Sequence, residues 1–382
     1  MSLRKKFIYF AALLMDMSTS STTLGVTAFA TRLGASSSAI GAMASVYRLL
    51  YVIFCQIFGK LSDRIGRKRI NQIACLSFSL LYMLIPFCRG LKQLAILFPL
   101  TGVILSAVWP AMEAWVGEHG DRRTLLKRVR TFNLSWTAGL LIGYFSSGYI
   151  HNLHVFAPLY LASAGSFCAA IALTIQPSPE VGIAERQEDA SPQPDAADPK
   201  LVAKYLYIGW VAVFTSYLTL GIMRYIFQKL LYDMGMEPSV FGWMMVCQTG
   251  AQFLMFFVLG ATERWHFKFA PLVVFQILSS LGFVAVWLTN SLELWVFGLV
   301  LIGLNTGMTY FSSIYYSLCR ETGLGNKAGW HETIIHSGVL SSTIIGGLLA
   351  DHVGLKAPYI FCAAAMIIGL PVQLFILRRR SL

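Results

Sequence analysis

The chain has 382 residues, 56% of them hydrophobic and 13% charged, with 30 Lys and Arg against 18 Asp and Glu. A soluble protein carries about a quarter charged residues, so most of this chain is solvated by lipid rather than water. The formal net charge of +12 invites a nucleic-acid reading, but the bases cluster in connections on one predicted side of a membrane, which accounts for the charge without a nucleic-acid partner.

A membrane-spanning helix needs roughly 20 mainly apolar residues. Twelve such stretches follow one another, near 7–31, 37–58, 70–88, 93–116, 130–150, 157–175, 204–232, 239–260, 270–289, 293–318, 330–350 and 357–377. The bases Arg4, Lys5 and Lys6 before the first stretch, with AFA at Ala28–Ala30, have the outline of a signal peptide. Asp16 and the STSSTT of Ser18–Thr23 are too polar for one, so this stretch is read as span one. Most connections are short. The exception, Gln176–Lys200, holds five of the 13 prolines and six of the 18 acids and reads as a flexible linker. It divides the chain into a six-helix domain at 1–175, a linker at 176–203 and a second six-helix domain at 204–382.

The halves resemble each other at an offset near 201 residues. Gly34, Ser38, Gly41 and Met43 match Gly235, Ser239, Gly242 and Met244, while Gly59 matches Gly260 and Gly102 matches Gly303. A near-constant offset across several helices points to a duplicated unit. With both termini in the cytoplasm, cytoplasmic segments hold 23 of the 30 bases and the opposite face five; Arg48 and Arg224 fall inside spans. That asymmetry predicts the orientation. The seven cysteines are scattered with no C-x-x-C pair, so neither a metal site nor a disulfide framework is expected.

Between spans two and three runs GKLSDRIGRKR, Gly59–Arg69. Gly59, Leu61, Asp63, Arg64, Gly66, Arg67 and Lys68 fit the G-x-L-x-D-R-x-G-R-K signature loop, and the stretch resembles that of the major facilitator superfamily. The resemblance covers essentially the whole chain. It implies an all-α membrane protein of 12 transmembrane helices, in two pseudo-symmetric six-helix domains around a cavity that opens alternately to either side. It further implies that Asp63 meets the N-terminus of span eleven, near Trp330, as part of a cytoplasmic latch. On the residues alone, Gly59 and Gly66 permit a tight turn, and Arg64 and Arg67 can pair with Glu113 or Glu118 at the end of span four. The second half keeps a worn copy, GATERWHFK at Gly260–Lys268.

Ionisable groups at depth are costly and usually functional. Asp16 and Arg48 lie at similar depth on adjacent antiparallel spans, so they can pair, either as a proton-responsive or substrate-binding pair or as a structural one. Arg224 sits in the outer third of span seven and either faces the cavity or snorkels outward. Glu332 and His336, four apart, share a helix face; they form a proton relay, or else Glu332 caps the helix start and His336 packs. Gln248 and Gln252 are expected to border the cavity. Span five carries Gly139, Gly143 and Gly148 at G-x-x-x-G spacing, resembling the glycine-rich fifth helix of drug/proton antiporters but without their proline. Trp109, Trp136 and Trp243 either line the cavity or pack within the protein, with packing the favoured reading.

No nucleotide-binding loop, nucleophile-and-base set or metal cluster is present in the sequence, so no enzyme activity and no cofactor is expected. The reading is a secondary active transporter of a small solute in the plasma or inner membrane, a monomer surrounded by lipid, with protons as the candidate coupling ion. Export of an amphipathic compound is the favoured cargo reading. A small organic anion held by Arg48 and Arg224, and a transport-inactive sensor or scaffold of the same fold, are the alternatives.

Overall fold

The computed structural model describes residues 6–117, 122–177, 199–318 and 324–379. Their helices are α1 (Phe7–Arg32), α2 (Ser37–Ile65), α3 (Arg67–Leu84), α4 (Leu91–Gly117), α5 (Arg122–Leu153) and α6 (Ala157–Ile175) in the first half. The second half has α7 (Pro199–Gly221), α8 (Phe227–Asp233), α9 (Pro238–Leu259), α10 (Phe269–Leu288), α11 (Leu292–Leu318), α12 (Leu324–His352) and α13 (Ala357–Arg378). A π turn, Ile222–Ile226, joins α7 to α8, so the two form one continuous rod and the described residues make twelve rods. Every predicted span has its helix. Most of the predicted linker, 178–198, lies outside the described residues.

Ten rods are long and apolar enough to cross a membrane; α1 and α5 do not meet that standard. In α1 the reason is the hydroxyl run. Its groups are satisfied within the helix: Ser18 donates to the Leu14 carbonyl at 2.8 Å, Ser21 to Met17 at 2.7 Å and Thr22 to Ser18 at 2.8 Å. Such back-bonding lets a polar face sit in a low-dielectric interior without orphaned donors.

Within the first half α1 packs on α5 and α6, α2 on α4, and α3 on α4 and α6; in the second, α7 packs on α11, α12 and α13, and α11 on α9 and α10. The internal repeat is visible in the closest contacts. A Cβ on Gly102 would come 2.3 Å from the Tyr47 carbonyl oxygen, and one on Gly303 would come 2.0 Å from that of Gln248. A second contact repeats with its partners exchanged. Ser20 Oγ occupies the space a Gly143 side chain would need, at 2.0 Å, whereas Ser342 Oγ presses on Gly221 at 2.2 Å. Small residues let helix backbones approach this closely. Gly303→Val is therefore expected to cost about 1–3 kcal/mol through overpacking, read as a lower melting temperature of the purified protein.

The two halves meet chiefly through α2 on α12 and α5 on α9. These contacts are tightest at the end remote from the 59–69 stretch. A Cβ on Gly41 would sit 2.2 Å from the Thr343 carbonyl oxygen, and one on Gly347 would sit 2.7 Å from that of Ser37. On the other side of the seam Gly242 approaches the Tyr144 carbonyl, at 2.6 Å from its would-be Cβ. The Asp351 carboxylate accepts the backbone N–H groups of Ser37 (3.1 Å) and Ser38 (2.8 Å), so α12 supplies an anion to the N-terminus of α2. Asn152 Nδ2 donates to Glu237 at 2.9 Å across the α5–α9 seam. At this end both seams, α2–α12 and α5–α9, are closely packed and hydrogen-bonded.

The 59–69 stretch differs from the expected loop. α2 continues helically to Ile65, and the chain breaks only at Gly66, whose φ of +97° is a conformation L side chains rarely adopt. Gly59 lies inside the helix, with no described atom within 4 Å of where a Cβ would be, so it is no turn residue. The side chain of Asp63, and Glu118 altogether, lie outside the described residues. Arg64 is exposed and Arg67 half-buried. Lys68 has a defined role: its ammonium donates to the Thr174 and Gln176 carbonyls at 2.9 and 2.6 Å, tying α3 to the C-terminal end of α6.

Candidate functional site

Between the halves lies a cavity with about 660 Å³ of empty space. Its ionisable lining is Asp16 from α1, Arg48 from α2, Glu113 from α4, Arg224 from the π turn, and Glu332 and His336 from α12. Trp109, Trp136, Tyr144, Tyr217 and Tyr310 form aromatic wall, and Thr19, Ser20 and Thr23 add hydroxyls.

The best-defined interaction crosses from one half to the other. Arg48 Nη1 lies 3.0 Å from His336 Nδ1, and His336 Nε2 lies 3.1 Å from Glu332 Oε2. A guanidinium can only donate, so Nδ1 is the acceptor and the proton of the neutral imidazole is on Nε2, where it is donated to Glu332. Tyr51, one helical turn beyond Arg48, donates its hydroxyl to the same Glu332 oxygen at 3.1 Å and lies against the His336 ring with centroids 3.7 Å apart. Arg48 also covers the Tyr47 ring at 4.7 Å. Two side chains of α2 thus grip two of α12 in a buried polar cluster, where each missing partner would be expensive.

Several expectations change. Asp16 and Arg48 share the cavity, but no ion pair within 4 Å joins them; Arg48 is drawn instead to His336, a partner on the other half that sequence proximity could not indicate. Glu113, expected to pair with the signature stretch, turns inward and lies against Glu332. Gln248 and Gln252 are buried, yet they are not among the cavity's lining residues; their backbone carbonyls meet Gly303 and Gly307 of α11. Glu332 and His336 are a linked pair facing the cavity, not a cap and a packed ring. Trp109 and Trp136 line the cavity instead of merely packing, and Trp243 is 47% exposed on the outside of the bundle. Tyr51 was missed, although its i+3 spacing from Arg48 was a usable signal. His331 was missed too: it is fully buried, with Nδ1 2.7 Å from Ser313 Oγ.

The sequence profile of the Major Facilitator Superfamily matches residues 7–208 and again 209–382. Multidrug resistance protein 1 of Bacillus subtilis (strain 168) is 26% identical over 136 residues, 36% of this chain and 35% of that protein. A gallate transporter of Pseudomonas putida is 30% identical over 129 residues, 34% of this chain and 29% of that protein. The matched region thus spans about a third of the length of these two relatives. Among solved structures, the human organic anion transporter MFSD10 (TETRAN) superposes with a TM-score of 0.68 at 13% identity, covering 97% of this chain and 99% of that one, a likeness of fold.

Proposed function

Because this chain belongs to the major facilitator superfamily, it is a multi-pass membrane transporter of a small molecule and not an enzyme, and we propose that it couples protons to the export of an amphipathic organic solute. The observation that carries the proton coupling is the Arg48–His336–Glu332 bridge between α2 and α12. Protonating His336 places an N–H where Arg48 needs an acceptor and a positive charge beside a guanidinium. The Arg48–His336 contact then breaks, which weakens the mid-depth link between the same two helices whose ends pack at the seam and leaves it to Tyr51–Glu332 and to Ser45 on the Leu340 carbonyl. Glu113 and Asp16 complete the set of groups that can carry the proton through the cavity.

In this reading the halves 1–175 and 204–382 rock about the cavity, the 176–203 segment joins them, and both termini are cytoplasmic. The closely packed end then faces outward, and Gly66, Arg64, Arg67 and Asp63 belong to the inner gate. Export is assigned on the name of the multidrug relative, and the amphipathic cargo on the aromatic walls. Asp16→Asn is expected to abolish solute flux driven by a pH gradient in proteoliposomes while the protein still inserts and folds. Unchanged proton-driven flux in that variant would remove Asp16 from the coupling.

A further inference from the structure

The two arginines of the cavity are in different situations. Arg48 is engaged: it donates to His336 and covers the Tyr47 ring. Arg224 lines the cavity half-buried and makes no hydrogen bond to any described side chain. It projects from the π turn at Ile222–Ile226, a local widening of the helix that is uncommon and concentrates at functional sites. The turn is held in place just before Arg224, where Gly221 is pressed against Ser342 Oγ and the Val339 carbonyl of α12. A guanidinium inside a membrane domain is expensive, and it is kept where it has an anion to meet.

We propose that Arg224 anchors a carboxylate on the transported solute, and that the solute is a monocarboxylate with an aromatic body. The proposal rests on the transporter reading above and names its cargo. Three features select this class. The planar fork of an arginine matches a carboxylate with two parallel N–H donors. Among the described residues Arg224 is the one cavity cation without a hydrogen-bonded side chain, which matches one negative charge, whereas a dianion would also need Arg48, which His336 holds. The cavity that Arg224 lines also has Tyr144 and Tyr217 in its wall, aromatic side chains suited to packing against a ring. Asp16 lines the same cavity without an ion pair closer than 4 Å to Arg224, so its carboxylate is the solute's competitor for that cation.

The test compares matched probes on the purified full chain: benzoate and 2-naphthoate against benzamide and 2-naphthamide, with binding read by thermal stabilisation. The carboxylates are expected to stabilise the wild type and the amides not to. Arg224→Gln should weaken 2-naphthoate by about tenfold or more, and Arg224→Lys should restore part of the affinity as a single-point charge. Asp16→Asn should bind 2-naphthoate more tightly than wild type. Wild-type protein that ignores the carboxylates, responds equally to the amides, or keeps its affinity in Arg224→Gln overturns the proposal, as does unchanged or weakened binding in a folded Asp16→Asn variant. The pH-dependent opening of the outer end can be measured without any solute. A failure of the carboxylates while that opening persists therefore counts against the cargo alone, and loss of the opening counts against the coupling.

Discussion

His336→Gln is expected to leave a folded, inserted protein whose solute flux no longer responds to a pH gradient. Glutamine offers Arg48 a carbonyl acceptor in place of Nδ1 and cannot take a proton between pH 5 and 8, so it keeps the bridge and removes the titration. His336→Ala should do more damage. It leaves the buried Arg48 guanidinium without that acceptor and Glu332 without its imidazole donor, and leaving a buried polar group unsatisfied costs about 1–3 kcal/mol, more when the group is charged. The two variants separate roles that a single substitution would confuse. If His336→Gln kept full proton-driven flux in proteoliposomes, His336 would be a packing residue and the coupling would have to lie at Asp16 or Glu113.

The second large effect is expected at Gly41. A side chain there must displace the Thr343 backbone, since even a Cβ would lie 2.2 Å from its carbonyl oxygen. Backbone cannot yield as the end of a flexible side chain can, so Gly41→Val should prevent α2 and α12 from closing at the outer end. The fold of each half is untouched by that contact. The expected result is normal membrane insertion, a loss of transport by about two orders of magnitude, and permanent access to the cavity from outside; an interface that cannot pack shifts the population wholly to its open state. Gly59→Val is the control, because no described atom lies within 4 Å of a side chain there. Normal transport by Gly41→Val would show that the α2–α12 seal is not needed for the cycle.

The fold was legible because lipid imposes one rule on every span: a run of apolar residues long enough to cross, with its backbone satisfied internally. The duplication was legible at its glycines, since positions 41, 102, 242 and 303 are each pressed against a neighbouring backbone. The site was half legible. Charge inside a span marks a functional residue whatever its partner, which is why Asp16, Arg48, Arg224, Glu332 and His336 stand out in the sequence and all line one cavity. Partners could not be read the same way. Residues 48 and 336 meet only when two halves of the chain are docked, and depth along adjacent helices favours Asp16 for Arg48 because it is blind to that docking. Glu113 misled for a related reason: its place near the end of span four suits the signature stretch equally well, and only the direction of its side chain shows that it belongs to the cavity. The glutamines at 248 and 252 failed because polarity at depth does not distinguish a cavity wall from the packed seam between α9 and α11.

The central claim is that protonation of the Arg48–His336–Glu332 bridge opens the end sealed by α2 and α12. It is tested most directly by a cysteine in place of Thr23, which lines the cavity, in a background free of the native cysteines and labelled by a membrane-impermeant maleimide from outside. Labelling, normalised to that of an exposed control cysteine at the same pH, is predicted to rise by about tenfold as pH falls from about 8 to about 5, and to stay flat when His336→Gln is added. Labelling that is independent of pH in the otherwise wild-type protein, or that rises equally in the His336→Gln background, would contradict it.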